Sequence, residues 1–145
     1  MTAGRRHALI RSGSRHGSIA RCPIDAHELA DLLERQAGSD RAYLEFIRVA
    51  DLSVGLYVLP AGGVDRQVPH AEDEVYHVLA GEARLTVGDE IRPMGPGTTV
   101  YVAAHVPHRF HDISSELRLL VFFAPPESPP PAGSITGHRG RPRRS

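Results

Sequence analysis

The chain has 145 residues, a length typical of one domain, and 41% of them are hydrophobic, which is enough for a substantial core. All 17 basic residues are arginines, so a Schiff-base lysine and a phosphate-loop lysine are excluded. The single cysteine, Cys22, excludes an intramolecular disulfide and predicts a reducing, cytoplasmic location. No apolar run reaches the roughly 18 residues that a membrane-spanning helix requires, so we expect no membrane insertion.

The charges cancel in sum but are unevenly distributed. Residues 1–22 contain five arginines and no acid, and residues 126–145 contain four arginines and one acid. The segment 23–125 therefore carries a formal charge of −8, which argues against nucleic-acid binding by this part of the chain. We predict a barrel domain over 23–125, a disordered basic extension over 1–22, and a disordered tail rich in proline and arginine over 126–145.

The first predicted element is a helix over residues 25–37. Asp25 is a favourable N-cap, and Glu28, three residues later, completes a capping box. Gly38 ends the helical pattern. Because the apolar positions form one narrow stripe, we expect the helix to pack against the outside of the barrel.

From Tyr43 onward the hydrophobic pattern has a period of two, which is typical of strands. Many short strands at close spacing, separated by glycine and proline, predict an all-β sandwich or barrel. The predicted strands are Tyr43–Val49, Ser53–Leu59, Gln67–His70, Glu74–Leu79, Glu82–Val87, Glu90–Met94, Thr98–Val102, His108–Asp112 and Arg118–Phe123.

The last predicted strand, Arg118–Phe123, is apolar on both faces after its first residue. Such a strand is covered on both sides in a folded protein. The core accounts for one face, and a helix or a second subunit would cover the other. We therefore expect a homodimer formed through the outer sheet.

Two distant segments offer metal-binding side chains. Residues on a strand alternate between faces, so Glu74 shares a face with Tyr76, and His108 shares a face with Phe110. If both faces point inward, one carboxylate and one imidazole enter the interior, and His70 is close enough to join them across a short turn. Two histidines and one carboxylate, with further positions open, form the set that non-haem Fe(II) enzymes use; Mn, Ni, Co and Zn also suit it.

The same residues resemble the first motif of the cupin superfamily. That motif runs Gly, five residues, His-x-His, three or four residues, Glu, six residues, Gly. Gly62, His70, Glu74 and Gly81 fall on its positions in the correct order. Val68 stands where the family has its first histidine. The sequence therefore looks like a small single-domain cupin that lacks this ligand.

The second cupin motif runs Gly, five residues, Pro-x-Gly-x-x-His, three residues, Asn. Gly97 and His108 match it, whereas Ala103, His105 and Asp112 depart from it. The resemblance covers residues 43–124. It implies a double-stranded β-helix, which is a jelly-roll barrel, often dimeric, with a metal at the barrel mouth.

By position, the resemblance implies that His70, Glu74 and His108 are the ligands of a divalent metal. Water or substrate would fill the place left by Val68, or Gln67 or Glu72 would reach in. An empty or weak site is the alternative.

Three functions fit these residues. A metal-dependent small-molecule enzyme of the dioxygenase, isomerase or epimerase type would use the metal to polarise a bound oxygen or to activate O₂. A binding module would hold a small molecule or sense a metal without turnover, and a structural dimer would keep a vestigial pocket. The candidate acid–base residues for catalysis are His105, in the loop before His108, and Tyr76, on the inner face.

Overall fold

A computed structural model describes residues 24–129, and within them the chain forms one helix and six strands. These are helix α1 (Leu29–Ala37) and strands β1 (Tyr43–Val49), β2 (Leu52–Leu59), β3 (Asp73–Val87), β4 (Glu90–Met94), β5 (Thr99–Val102) and β6 (His108–Ala124). The predicted extension over 1–22 and most of the predicted tail lie outside the described residues. Within 24–129, no helix is long and apolar enough to cross a membrane.

Two long strands, β3 and β6, run antiparallel along each other and form the centre of the fold. The first part of β3 also pairs with β5, and its last part pairs with β4. The last part of β6 pairs with β2, which pairs with β1. Every pairing is antiparallel, and the predicted all-β architecture is confirmed.

Each central strand joins two segments that the sequence predicts as separate strands. β3 continues through Ala80 and Gly81, between two predicted strands, and β6 continues through Ile113–Leu117. Register shifts between Val78 and Arg84 let the paired strands bend without ending. Gly81 lies at this bend with φ +89°, and a Cβ there would overlap the backbone of Glu116.

The core lies on the inner faces of the strands. Tyr76 and Val78 of β3 are fully buried, and so are Leu117 and Leu119 of β6. They belong to one continuous apolar cluster that also includes Tyr57 of β2. The metal-binding candidates lie among these apolar side chains, because the same strand faces carry both.

Helix α1 begins later than predicted. Asp25, the predicted N-cap, pairs with His27 at 2.8 Å instead of capping a backbone amide. The His27 ring in turn packs edge-on against Phe46 of β1, with centroids 5.1 Å apart. Glu28 takes the N-cap position, with an extended backbone and no side-chain cap. The predicted capping box is therefore wrong.

The helix packs against the outside of the sheet, as predicted, where it contacts β1 and β2. Leu32 of α1 is buried there, and so are Val54 and Leu56 on the outer face of β2. Leu120 and Phe122 of β6 are half-buried and line an apolar groove of about 280 Å³ beside the helix. The outer face of the last strand is thus only partly covered within residues 24–129.

The predicted strand Gln67–His70 is wrong. Residues 63–70 form no strand, because Gln67 directs its backbone amide and its side-chain amide to the Asp65 carboxylate. Pro69 also lacks the N–H that a strand ladder requires. The segment is instead a loop that carries His70 to the barrel interior.

Candidate metal centre

Three side chains, from His70, Glu74 and His108, converge inside the barrel. Each offers one potential ligand atom, and these atoms lie within 4.8 Å of one another. Glu74 Oε2 lies 2.8 Å from His108 Nε2 and 3.6 Å from His70 Nε2. The structure therefore brings together the three residues that the sequence assigns to one centre.

Each of the three side chains is positioned by a different part of the fold. Glu74 lies on the inner face near the start of β3, and His108 is the first residue of β6. His70 lies in the preceding loop, where its carbonyl accepts a 2.7 Å hydrogen bond from the His105 backbone amide. The rings of His70 and His108 are 5.4 Å apart, and Phe123 packs edge-on against His70 at 5.3 Å.

The polar atoms at this centre lie close to one another but have no other partners among the described residues. His70 Nε2, His108 Nε2 and both carboxylate oxygens of Glu74 are buried, and none has a well-aligned hydrogen-bond partner within residues 24–129. Buried polar atoms almost always have partners, and ionised groups are the most costly to leave without one. Two imidazole nitrogens and a carboxylate aimed at one point fit the donor set of a divalent transition metal.

His108 is held in the form that binds a metal through Nε2. Its Nδ1 lies 2.8 Å from the Val106 carbonyl oxygen, so Nδ1 carries the proton. Burial lowers the pKa of His108, but the Glu74 carboxylate and the Val106 carbonyl outweigh burial and leave that pKa raised. The environment therefore favours positive charge at Nε2, whether a proton or a metal ion supplies it.

A buried carboxylate, Asp65, organises the wall behind the centre. It accepts hydrogen bonds from the Tyr57 hydroxyl (2.8 Å), the Phe110 amide (2.8 Å), and the backbone and side-chain amides of Gln67 (3.1 and 3.2 Å). Gln67 Oε1 in turn accepts a 2.9 Å hydrogen bond from the Tyr76 hydroxyl. This chain of bonds fixes the start of β6 beside His108.

The two residues considered as further ligands are engaged elsewhere. The Gln67 side chain bonds to Asp65 and Tyr76. Glu72 Oε1 accepts hydrogen bonds from the backbone amide and the hydroxyl of Ser128. Glu72 does not belong to the group of converging ligand atoms.

The two candidate acid–base residues occupy different environments. Tyr76 is fully buried, and its ring lies 5.9 Å from that of His108. Burial, followed by the Glu74 charge, raises the pKa of Tyr76 well above its usual range. The His105 side chain is exposed, and its backbone has φ +67°. Their catalytic roles stay predictions.

Two other histidines of β3 and β6 point away from the centre, as their alternation predicts. His77 Nδ1 lies 2.7 Å from the Thr99 hydroxyl, and His111 Nε2 lies 2.7 Å from the Thr86 hydroxyl. Both histidines are half-exposed. These cross-strand pairs give both histidines a structural role away from the centre.

The chain after β6 forms a short strap, Pro125–Ser128, across the end of the barrel. Ser53 Oγ accepts a 3.0 Å hydrogen bond from the Glu127 amide, and Arg48 donates one of 3.1 Å to the Glu127 carbonyl. Ser128 bonds to Glu72, two residues before Glu74. The predicted tail therefore begins with residues that are fastened to the barrel.

The Glu127 side chain is half-buried among other carboxylates. Burial is the largest cause of its raised pKa, and the charges of Glu45, Glu74 and Glu72 add to it against the opposing charge of Arg48. Together they raise the pKa of Glu127 to about 7. This acid can therefore change protonation state near neutral pH.

Comparisons with known proteins agree with this architecture. A family model described as "Cupin domain" matches residues 55–123. Protein SCO3923 from Streptomyces coelicolor is 52% identical over 105 residues, which are 72% of this chain and all of that protein.

Solved structures give the same result. An RmlC-like cupin with a double-stranded β-helix fold from Methanocaldococcus jannaschii aligns with a TM-score of 0.53 and 23% identity, over 59% of this chain and 84% of the other. The DMSP lyase DddQ from Ruegeria pomeroyi aligns with a TM-score of 0.50 and 28% identity, over 52% of this chain and 39% of the lyase. The chain thus spans well under half of the lyase.

The all-β barrel and the inward His and Glu side chains are features that the sequence resemblance implies. The predicted double-stranded β-helix is confirmed by the match to a structure of that fold. Together with the family match and the close relative, they establish that this chain belongs to the cupin superfamily.

Proposed function

We propose that this protein is a metal-dependent cupin that acts on a small molecule, with a divalent metal ion held by His70, Glu74 and His108. The observation that supports this proposal is the set of buried polar atoms that meet at one point and, apart from their contacts with one another, have no hydrogen-bond partners among the described residues. Fe, Mn, Zn, Ni and Co all accept two imidazoles and a carboxylate. Water and the small molecule would take the remaining positions, because Gln67 and Glu72 are engaged elsewhere.

When bound, such a metal polarises an oxygen of its ligand or activates O₂. The chain itself positions the metal-binding side chains and excludes water from the centre. His108 is oriented by the Val106 carbonyl, and Glu74 supplies the negative charge that retains the ion. Tyr76, Phe110 and Phe123 make the surrounding wall apolar, which strengthens electrostatic interactions at the centre.

The choice between catalysis and binding alone depends on two observations: a similarity to a known enzyme, which favours catalysis, and the hydrogen bond of Tyr76, which disfavours it. The similarity to an enzyme, the lyase DddQ, supports a catalytic use of this scaffold. Against catalysis, the hydroxyl of Tyr76, a candidate acid–base group, already donates its hydrogen bond to Gln67. A small-molecule-binding module is therefore the second candidate, and we expect a cytoplasmic protein in either case, from the single cysteine.

Metal analysis of the purified protein tests the proposal. We expect about one metal ion per chain after anaerobic loading with Fe(II), Mn(II), Zn(II), Ni(II) or Co(II) and dialysis, and none in His108→Ala. His77→Ala is the matched control, because it removes an imidazole from the outer face of the same fold. Failure of the wild type to retain any of the five metals would reject the proposal.

Turnover is tested separately from binding. The loaded wild type and His108→Ala are incubated with a bacterial metabolite extract and followed by NMR. If the protein is an enzyme, the signals of a small molecule decrease with time only with the wild type. If the signals broaden with the wild type but their total amount is constant, the protein is a binding module.

We also propose that the protein is a homodimer that uses the outer face of β6 and β3. Leu120 and Phe122 on this face are only half-buried, and Tyr101 of β5, on the neighbouring strand, is 61% exposed. Contiguous apolar surface of this kind is typical of an interface. Light scattering should give twice the monomer mass, and Phe122→Glu should give the monomer mass; a monomeric wild type at high concentration contradicts the proposal.

A further inference from the structure

One short loop, Ala103–Pro107, touches both histidines of the proposed centre. The loop joins β5 to β6. The His105 backbone amide donates a 2.7 Å hydrogen bond to the His70 carbonyl oxygen. The Val106 carbonyl oxygen lies 2.8 Å from His108 Nδ1. Two consecutive residues of the loop therefore contact the two histidines through backbone atoms alone.

The same loop is also fastened to the strand that carries the third ligand. The Ala104 amide donates a 3.0 Å hydrogen bond to Asp73 Oδ1, and Asp73 directly precedes Glu74 on β3. At the other end of the loop, the Pro107 carbonyl accepts a 2.9 Å hydrogen bond from the Gly88 amide. The conformation of this loop thus bears on the placement of all three side chains.

His105 holds the loop in a backbone conformation that few residues adopt. Its φ is +67°, in the left-handed region, and Asp112 is the only other non-glycine residue within 24–129 with a positive φ. Glycine enters this region freely, and Asn, Asp and His enter it more often than other residues, whereas a β-branched side chain is strongly disfavoured there. The His105 side chain is exposed, so burial of its imidazole does not impose the conformation.

The two histidine contacts depend on this φ angle. Rotation about the N–Cα bond of His105 changes the position of its amide relative to the Val106 carbonyl oxygen. A change of φ therefore breaks the contact with His70 or the contact with His108. His70 is the more exposed to such a change, because it lies in a loop and not in a strand ladder.

We propose that His105 is a positioning residue of the metal centre, and that it acts through its left-handed backbone and not through its imidazole. This inference rests on the proposed function, since it concerns the affinity for the metal. The left-handed turn aligns His70 and His108 before the ion binds, so the ion does not have to order the loop. The residue type at position 105 then governs metal affinity according to how readily it adopts a positive φ.

Co(II) affinity in a set of variants at position 105 tests this proposal. The affinity is measured by competition with a chelator, and the visible absorption of the bound ion reports its coordination. We expect His105→Gly and His105→Asn to match the wild type in affinity and spectrum. His105→Val should bind about 10- to 100-fold more weakly, which is the scale for the loss of a group that orients a metal ligand. His105→Ala carries a smaller steric penalty, should fall between Gly and Val, and gives the same comparison if His105→Val does not fold.

Asp112→Val is the matched control for backbone strain. It places the same β-branched residue at the other non-glycine position with a positive φ, which is +48° at an exposed site of β6. Asp112 is not one of the converging ligands. This variant should lose stability in denaturant unfolding but keep the wild-type affinity for Co(II). Strain that only destabilises the fold is thereby distinguished from strain that displaces the ligands.

The remaining outcomes separate this inference from the function on which it rests. If His105→Gly loses affinity as His105→Val does, the imidazole is required and the backbone role is rejected. If His105→Val and His105→Ala bind as tightly as the wild type, or if Asp112→Val is weakened equally, positioning by His105 is rejected and the metal centre is retained. If the wild type binds no Co(II), the metal centre and the role of His105 are both rejected.

Discussion

The buried carboxylate of Asp65 accepts four hydrogen bonds from three segments of the chain. The donors belong to Tyr57 on β2, to Gln67 in the loop, and to the backbone of Phe110 on β6. Removing this acceptor would leave several buried donors without a partner, each at a cost. Asp65 therefore links the loop that carries His70 to the strand that carries His108.

We expect Asp65→Ala to lower the free energy of unfolding by about 3 kcal/mol, which is the scale for breaking a buried charged network. Denaturant unfolding of the metal-free protein measures this loss. Asp89→Ala, at an exposed turn between β3 and β4, is the matched control and should change stability little. Equal effects of the two substitutions would show that the Asp65 network does not stabilise the fold.

Glu127 makes stability depend on pH in a defined window. Its folded pKa of about 7 lies above the ordinary value of 4.5, so the folded protein keeps a proton that the unfolded chain loses between these values. Stability should therefore fall as pH rises from about 4.5 to about 7 and then level off. Because the side chain is half-exposed, screening limits the effect to about 1 kcal/mol.

Glu127→Gln should flatten this pH dependence and leave the metal-free protein more stable than the wild type at pH 8. Thermal or denaturant unfolding at several pH values, in the presence of a chelator, gives the comparison. Glu90→Gln, at an exposed position of β4, should preserve the wild-type slope. A wild-type slope in Glu127→Gln would mean that another group is responsible.

The sequence predicts the residues of the centre better than it predicts the residues that support them. His70, Glu74 and His108 follow from strand alternation and from the spacing of the cupin motifs. Asp65 does not, because a single acid in a loop has no periodic signal and its partner Phe110 is 45 residues away. His105 lies in a predicted loop, but only the coordinates show its positive φ and its hydrogen bond to His70.

At the level of whole elements, the bend shared by β3 and β6 decides how the barrel closes. Gly81 occupies it with a positive φ and against the backbone of Glu116. The sequence predicts two separate strands here, Glu74–Leu79 and Glu82–Val87, and a glycine in a strand often marks an interruption. The strand continues instead, since the register shifts on either side absorb the bend.

We expect Gly81→Ala to destabilise the fold by more than 2 kcal/mol, because the methyl group meets backbone atoms that cannot move aside and the backbone is strained. Gly88→Ala has a positive φ but open space around it, so it should show the backbone penalty alone, about 1 kcal/mol. Chemical unfolding of the three proteins separates the two contributions. Equal losses in the two variants would exclude the steric clash as a cause.

Helix α1 shows where local signals fail. Asp25 and Glu28 have the spacing of a capping box, yet Asp25 pairs with His27 and the helix begins at Leu29. The tertiary contact between His27 and Phe46 competes with the local cap. The outward packing of the helix was predictable, because it follows from its apolar stripe, a signal summed over several turns.

Across the whole molecule, the centre joins parts of the chain that are far apart in sequence. His70 comes from a loop, Glu74 from β3 and His108 from β6, and Ser128 of the strap bonds to Glu72. The three side chains therefore meet only in the folded barrel, so a ligand that binds all three binds the folded state and not the unfolded chain. Binding that is confined to the folded state stabilises by mass action.

We expect a divalent metal at about 100 times its dissociation constant to stabilise the protein by about 2.7 kcal/mol. For a domain of this size, that corresponds to a rise of roughly 10 °C or more in Tm. Differential scanning measurements with Co(II) and with EDTA should show the rise in the wild type and in His77→Ala. His108→Ala should show none, because the remaining imidazole and carboxylate lack the third donor. A rise of the same size in His108→Ala would place the stabilising ion elsewhere on the surface and remove the thermodynamic support for the centre.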